Sequence, residues 1–277
     1  MPGFDLHVHT TASDGVLNGE EIIQLAIKLR LEGIAITDHD TIEGLDEGIK
    51  LGEKYQFHVI PGIELSTQYQ NTEIHILGYY LDYHLLWVVE KLRYLQDARV
   101  ARLGKMVDKL QKLGYDVDKD EVLSLSGEGS VGRPHLAYLL MKKGYISSVQ
   151  EAFQRLIGRG CPAYVLREKL TPKEAVDFVS RAGGVPVMAH PGLTRTDKLI
   201  FKLKEHGLKG LEVYHPEHGV DEEKKYCSLA DRLGLVATGG SDFHGSNKDM
   251  NRFSLGSKTV SSRVVENLRQ LATWGKI

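Results

Sequence analysis

Two histidines two residues apart close the run Phe4-Asp5-Leu6-His7-Val8-His9, in which apolar and polar side chains alternate. A period of two marks a strand, so both imidazoles fall on one face, Asp5 with them, and can chelate a single ion. The same punctuation recurs where other short apolar runs stop. Thr37-Asp38-His39-Asp40 follows Ile34-Ala35-Ile36, Glu64 ends the next strand-like stretch, and His75 lies between Glu73 and Leu81. His190-Pro191 follows Val185-Pro186-Val187-Met188-Ala189, and Gly239-Gly240-Ser241-Asp242-Phe243-His244 follows Leu235-Val236-Ala237-Thr238. Asp14 lies just past the first run. The candidate ligands are therefore His7, His9, Asp14, His39, Glu64, His75, His190, Asp242 and His244. One buried histidine is ordinarily a satisfied core residue. Strand ends that repeat the pattern need another explanation, because each unpaired buried polar group costs about 1–3 kcal/mol. Bound metal supplies one. Nine donors exceed the three or four protein ligands of one zinc site, so the set predicts more than one divalent ion. Imidazole and carboxylate donors without thiolate suit Mn, Fe or Zn. Divalent ions roughly 3.5–4 Å apart activate water and neutralise charge on a transferring phosphoryl group, which is the hardware of phosphoester hydrolysis.

The elements that carry these residues alternate. Helical stripes are predicted from Glu20 to Leu31 and from about Ile42 to Tyr55, with strands at Phe57-His58-Val59-Ile60 and Ile63-Glu64-Leu65 between the second stripe and the Glu73–Leu81 strand. From about residue 82 the texture becomes helical, with a long pattern over 84–113 closed by Gly114 and shorter ones near 119–125, 134–143 and 149–157. The β–α rhythm returns with helices from about Pro172, near 197–206, near 221–233 and from about Ser262 to Trp274. Repeated strand–helix units predict an α/β parallel sheet or barrel. Residues 1–81 plus 163–277 are then a barrel carrying the metal site, and 82–162 an all-helical insertion that could act as a lid. In parallel folds the C-terminal strand ends converge on one rim, where the nine donors lie.

Composition narrows the function. The 277 residues carry 35 Lys and Arg against 37 Asp and Glu, a formal charge of −2, which excludes a bulk electrostatic binder of nucleic acid. Two cysteines, Cys161 and Cys227, cannot build a disulfide framework. No apolar run approaches a membrane span, and the first residues lack a signal-peptide pattern. The expectation is a cytoplasmic protein with no membrane contact and no obligate protein partner.

The set His7-Val8-His9-Thr10, Thr37-Asp38-His39-Asp40, Pro61-Gly62-Ile63-Glu64, Ala189-His190-Pro191 and Ser241-Asp242-Phe243-His244-Gly245 resembles the polymerase and histidinol phosphatase (PHP) superfamily. The order and spacing resemble its stand-alone phosphoesterases, a branch that includes 3′,5′-nucleoside bisphosphate phosphatases and a 5′-to-3′ exoribonuclease. The resemblance also takes in Gly132-Arg133-Pro134-His135-Leu136-Ala137 and Tyr214-His215-Pro216-Glu217-His218. It implies a distorted seven-stranded β/α barrel with a three-metal site: one ion on His7, His9, Glu64 and Asp242, a second on Asp14, His39 and His244, and a third on Glu64, His75 and His190. Asp14 stands where many members have histidine, and an oxygen donor there favours a harder ion such as Mn or Fe.

The substrate implied is a small phosphorylated molecule, a nucleotide or short 5′-phosphorylated RNA. Arg133 precedes Pro134, a plausible first helical residue, so its planar fork can grip phosphate beside a helix N-terminus. His135 and His218 are further candidate contacts, with Arg195 and Lys169 weaker. A metal-bound histidine is a poor acid, so His218 rather than His190 is expected to protonate the leaving oxygen. Two alternatives stand beside this reading: a histidinol phosphate phosphatase or other small phosphomonoesterase, and a non-catalytic metal-binding module.

Overall fold

The computed structural model describes residues 3–126, 129–166, 169–245 and 253–274. Its centre is one seven-stranded sheet in sequential order, β1 (Phe4–Val8), β2 (Gly33–Ile36), β3 (His58–Tyr69), β4 (Thr72–Tyr79), β5 (Val185–Met188), β6 (Gly210–Tyr214) and β7 (Val236–Gly239). The sheet curls into a nearly closed barrel. Its two edges meet through a Val8–Phe243 bridge, with the His9 amide donating to the Phe243 carbonyl at 2.9 Å.

Helices α1 (Gly19–Lys28), α2 (Leu45–Tyr55), α7 (Pro172–Arg181), α9 (Asp197–Glu205) and α10 (Val220–Leu233) lie along the barrel, with the single turn α8 (Pro191–Thr194) after β5 and α11 (Ser262–Leu271) after the last strand. The first begins where expected of its residues: Asn18 accepts from the Glu21 amide at 3.0 Å and Glu21 accepts from the Asn18 amide at 2.9 Å, a capping box. Ile22, Ile23 and Ala26 on its inner face are fully buried against Val8, Ile34 and Ile36 in the barrel core. Burying each isoleucine contributes roughly 1.5–3 kcal/mol.

Two sequence expectations change. The sheet is not wholly parallel, because β4 runs antiparallel to both β3 and β5. Only Gln70 and Asn71 separate β3 from β4, too short for a crossover, so the chain turns back as a hairpin. The two predicted strands around Pro61-Gly62 are also one strand. Pro61 lacks an amide hydrogen but still serves as an acceptor there, its carbonyl taking the Tyr80 amide at 2.9 Å.

Between β4 and α7 lie α3 (Leu86–Lys112), α4 (Lys119–Ser126), α5 (Arg133–Lys142), α6 (Val149–Ala152) with a π-turn over Phe153–Ile157, and no strand among the described residues. They form their own apolar cluster around Leu103, Met106, Leu110, Leu136 and Leu140. The first turns of α3 do not belong to it: Val88, Leu92 and Leu95 are buried in the barrel core, so this long helix joins the two clusters. No helix among the described residues is long and apolar enough to cross a membrane.

Candidate metal centre

All nine predicted donors meet at one rim. Glu64, at 1 % exposure, is their hub. Its Oε1 lies 3.3 Å from His7 Nε2, 2.8 Å from His75 Nδ1 and 3.4 Å from His190 Nε2; its Oε2 lies 3.3 Å from His9 Nε2 and 2.9 Å from His39 Nδ1. Asp242 Oδ1 is 3.4 Å from His7 Nε2 and 3.3 Å from His9 Nε2. Asp14 Oδ1 faces His244 Nε2 at 3.2 Å and His9 and His39 at 3.9 Å.

These contacts fit metal ligands better than hydrogen bonds. His7 Nε2, His9 Nε2, His39 Nδ1, His244 Nε2, Asp14 Oδ1 and Glu64 Oε2 are all buried without a hydrogen-bond partner. Two ligand bonds of about 2.1 Å meeting at a tetrahedral angle put their donor atoms about 3.4 Å apart, close to the separations around Glu64 and Asp242. Three groups of donors are close enough to share an ion: His7, His9, Glu64 and Asp242; His9, Asp14, His39 and His244; and His39, Glu64 and His75. The first matches the expected first site. The second adds His9. The third has His39 where the resemblance implies His190, which instead approaches Glu64 alone and packs edge-on to His75 at 5.2 Å.

The rim geometry depends on backbone that few residues tolerate. Asp40, His190 and Asp242 have positive φ (53°, 27° and 51°), a conformation that carries strain for a residue with a Cβ. Gly240 lets the end of β7 pass His7, since a Cβ there would lie 2.4 Å from the His7 nitrogen.

The electrostatics are those of an anionic hub in an imidazole cage. Burial pushes the Glu64 carboxyl up, yet His75, His39 and His7 hold it well below the usual carboxylate range. Asp242 and Asp14 behave alike, burial being outweighed by His7 and His244 for the first and by His244 and His39 for the second. Burial depresses His9 and His75, but Asp242 and Glu64 raise His9 to about 9 and Glu64 raises His75 to about 10.

Several residues that position the donors escaped the sequence reading. Glu212, fully buried in β6, accepts from His7 Nδ1 at 2.9 Å and from the His190 amide at 2.9 Å. Its only sequence signal is an acid inside the apolar run Gly210-Leu211-Glu212-Val213-Tyr214. Partners of this kind fix the tautomer and orientation of a ligating histidine. Glu212→Gln is therefore expected to weaken metal binding by about 10–100-fold with the fold retained; a metal titration giving wild-type affinity would refute the role. Asp38 holds the loop that presents Asp14, accepting from the Thr10 amide and hydroxyl, each at 2.8 Å, and from Ser13 Oγ at 2.5 Å. His215 is buried with Nε2 3.7 Å from Asp242 Oδ2. Asp5 does not join the donors; it anchors the last loop through the Ser241 amide and hydroxyl and the Gly256 amide.

Beside the donors lies a cavity of about 360 Å³ whose wall includes Arg133, Lys169 and Glu73. Arg133 sits at the start of α5, over the Phe153 ring at 5.1 Å, and donates to Glu73 at 3.0 Å. Arg99, a further wall residue from α3, ties that helix to the loop after β2: its Nε and Nη2 reach Asp40 Oδ2 at 2.9 and 2.6 Å.

Three other expected substrate contacts, Arg195, His135 and His218, are not part of the cavity wall. Arg195 is exposed and outside the cavity wall. His135 is likewise outside it and accepts from the Gly132 amide at 3.0 Å, capping α5. His218, the expected acid, has both ring nitrogens engaged by backbone: Nδ1 donates to the Val213 carbonyl at 2.8 Å and Nε2 accepts from the Gly192 amide at 3.1 Å. Burial holds its pKa below the usual imidazole value. A neutral ring locked in this tautomer has no proton to give to a substrate. His218→Ala is expected to cost about 1–3 kcal/mol of stability through the orphaned backbone groups while leaving the shape of the pH–rate profile unchanged; loss of a basic limb from that profile would restore the acid role.

With this geometry in view, comparison with known proteins defines the class. The PHP domain model matches residues 5–187, and the chain belongs to the PHP domain family. It is 33 % identical over 250 residues to the 5′-3′ exoribonuclease Rnm of Escherichia coli (strain K12), covering 87 % of this chain and 85 % of that one. It is 33 % identical over 247 residues to a phosphoribosyl 1,2-cyclic phosphate 1,2-diphosphodiesterase of Eggerthella lenta, covering 87 % and 94 %. It is 30 % identical over 250 residues to a 3′,5′-nucleoside bisphosphate phosphatase of Chromobacterium violaceum, covering 88 % of each. The crystal structure of a candidate metal-dependent phosphoesterase from Bifidobacterium adolescentis superposes with a TM-score of 0.91 at 28 % identity, over 98 % of this chain and 97 % of that one.

Proposed function

We propose that the chain is a metal-dependent phosphoesterase that hydrolyses phosphate esters of nucleotides, a 3′,5′-nucleoside bisphosphate or a short 5′-phosphorylated oligoribonucleotide. The observation that carries this reading is the cage of buried, unpartnered imidazole and carboxylate donors opening onto a cavity with arginine and lysine in its wall. Two or three divalent ions, Mn, Fe or Zn, would be held by His7, His9, Asp14, His39, Glu64, His75, His190, Asp242 and His244. Such ions supply Lewis-acid stabilisation of phosphoryl oxygens and a water acidified toward neutrality. The chain's own contribution is positional. Glu64 and Asp242 hold the cage together, Glu212 keeps the His7 proton on Nδ1 so that Nε2 faces the centre, and Arg133 orients the phosphate from the cavity wall.

Nucleotides fit better than smaller esters because the insertion adds an apolar wall, Leu103, Met106, Val131 and Phe153, next to the cations. That wall suits a base or ribose, and it supports reading the insertion, residues 82–162, as a lid over the donors. A cyclic phosphodiester of phosphoribose is the second reading, favoured by the Eggerthella lenta relative at equal identity.

The test is a substrate panel on protein loaded separately with Mn, Fe and Zn: a nucleoside 3′,5′-bisphosphate, a short 5′-phosphorylated RNA, phosphoribosyl 1,2-cyclic phosphate and histidinol phosphate. Turnover of the first two, abolished by a chelator and restored by metal, is the expected result. Preference for histidinol phosphate, or no hydrolysis with any metal, would overturn the proposal.

A further inference from the structure

Two contacts fasten the helical insertion to loops that carry metal donors. The first is made by Arg99 of α3. Asp40, the residue after His39, is fully buried and has a positive φ of 53°, a conformation that a residue with a Cβ keeps only where its surroundings hold it. Its amide donates to the Glu64 carbonyl at 3.0 Å, and its Oδ1 accepts from the Ser66 amide at 2.8 Å. Its Oδ2 takes Arg99 Nε and Nη2, and the same Nη2 donates to Ser66 Oγ at 2.9 Å. One guanidinium therefore spans the His39 loop and the strand that carries Glu64. The second contact lies just before α5. The Ser130 amide donates to the Ala12 carbonyl at 2.8 Å, and Gly129 comes so near that a Cβ there would meet that oxygen at 2.5 Å. Ala12 belongs to the loop that leads to Asp14.

Asp14 and His39 are donors of one group, His9, Asp14, His39 and His244. The group His7, His9, Glu64 and Asp242 is built differently: His7 and Glu64 lie within strands, and His9 and Asp242 flank the barrel closure at Phe243. We propose that the insertion is a structural part of the second ion's site, with Arg99 as its positioning residue: by clamping Asp40 in a strained conformation it aims His39 at the shared centre, while Gly129 and Ser130 steady the loop of Asp14. This rests on the metal-centre reading and is independent of the choice of substrate. A donor on a loose loop must be ordered when the ion binds, whereas on a clamped loop that entropy is already lost on folding. Arg99 lines the cavity, but its fork is spent on Asp40 and Ser66, so it acts through the ligand loop. Only a planar guanidinium reaches both partners at once.

The experiment withdraws manganese stepwise from loaded protein with a competing chelator and counts ions per chain by mass spectrometry. Arg99→Met is expected to weaken at least one ion about 10–100-fold while the tightest ion stays bound as in wild type. Arg99→Lys, a cation without the fork, should recover only part of that loss. In a His39→Ala background Arg99→Met should change manganese affinity by less than about threefold, because it acts through that imidazole. A merely structural Arg99 would instead weaken every ion alike, or add its full effect to that of His39→Ala. Either result, or unchanged affinity in Arg99→Met, overturns the proposal. Gly129→Ala, at the other clamp, should weaken the same ion as Arg99→Met. If Arg99→Met does not fold, Gly129→Ala decides, and wild-type manganese binding in it overturns the proposal. A wild-type protein that binds no manganese refutes the metal centre and the clamp together, whereas manganese binding indifferent to both clamps refutes the clamp alone.

Discussion

Glu64→Gln is expected to lower kcat/KM by about a thousandfold or more, the equivalent of roughly 4 kcal/mol of transition-state stabilisation, and to strip metal from the purified protein. The substitution preserves size and leaves the surrounding apolar residues Ile63 and Leu65 buried as before. What it removes is the negative charge faced by His7, His9, His39, His75 and His190 through two oxygens. An amide offers one oxygen and a pair of donors that collide with imidazole nitrogens already directed at the same point. No other carboxylate among the described residues faces as many of these rings, so neither the first nor the third donor group can be completed without it. Far-ultraviolet circular dichroism should be unchanged while metal analysis and turnover both collapse. Wild-type metal content together with wild-type turnover in Glu64→Gln would dismiss the carboxylate as a bridging ligand.

Metal removal should produce the second large effect, with a distinctive pH dependence. In the metal-free protein His9 and His75 have pKa values raised to about 9 and about 10 by Asp242 and Glu64, against the depressing effect of burial. The folded state then binds protons more tightly than the unfolded chain. Stability from these groups is fully present below pH about 6.5 and is lost as pH rises through about 9 to 10. His9 alone accounts for roughly 3 kcal/mol across that interval, at about 1.4 kcal/mol per tenfold change in proton affinity. Asp5, raised by burial to about 6, acts in the same sense at lower pH, its contribution falling between about pH 4 and 6. Glu64, Asp14 and Asp242, lowered, act in the opposite sense: their stabilisation is present above the ordinary carboxylate range and lost on acidification. Metal ions demand deprotonated imidazoles and displace those protons, so the loaded protein should not share the alkaline decline. With His75 losing about as much as His9, the Tm of chelator-treated protein is expected to fall by about 10–20 °C between pH 6.5 and 9 while that of loaded protein holds steady. Parallel curves for the two forms would contradict the assignment of these imidazoles as ligands.

Much of this was legible before any coordinates. His7 and His9 declared themselves because a strand repeats every two residues, and their common face follows from that period alone. His39, Glu64, His190, Asp242 and His244 each sit at or just past a short apolar run, and a barrel gathers such ends at one rim. The helical texture of 84–157 was equally local, since apolar spacing and Gly114 need no distant partner. The resemblance joined these positions to a phosphoesterase family, and the family match stands.

What sequence alone could not decide is which groups spend themselves on one another. His218 and His215 look equally available in Tyr214-His215-Pro216-Glu217-His218, yet only the fold delivers the Gly192 amide to His218 Nε2 and leaves His215 Nε2 facing Asp242. Glu212 reads as one odd acid in a buried strand until the register of β6 beside β5 and the barrel closure at β1 put it under His7 and His190. Likewise the pairing of Arg133 with Glu73 joins residues 60 positions apart. Periodicity reports which face a side chain occupies, a property of its neighbours in the chain. Partner choice at 3 Å depends on strand register, loop path and the turn between β3 and β4, and those are set by long-range packing of the whole barrel.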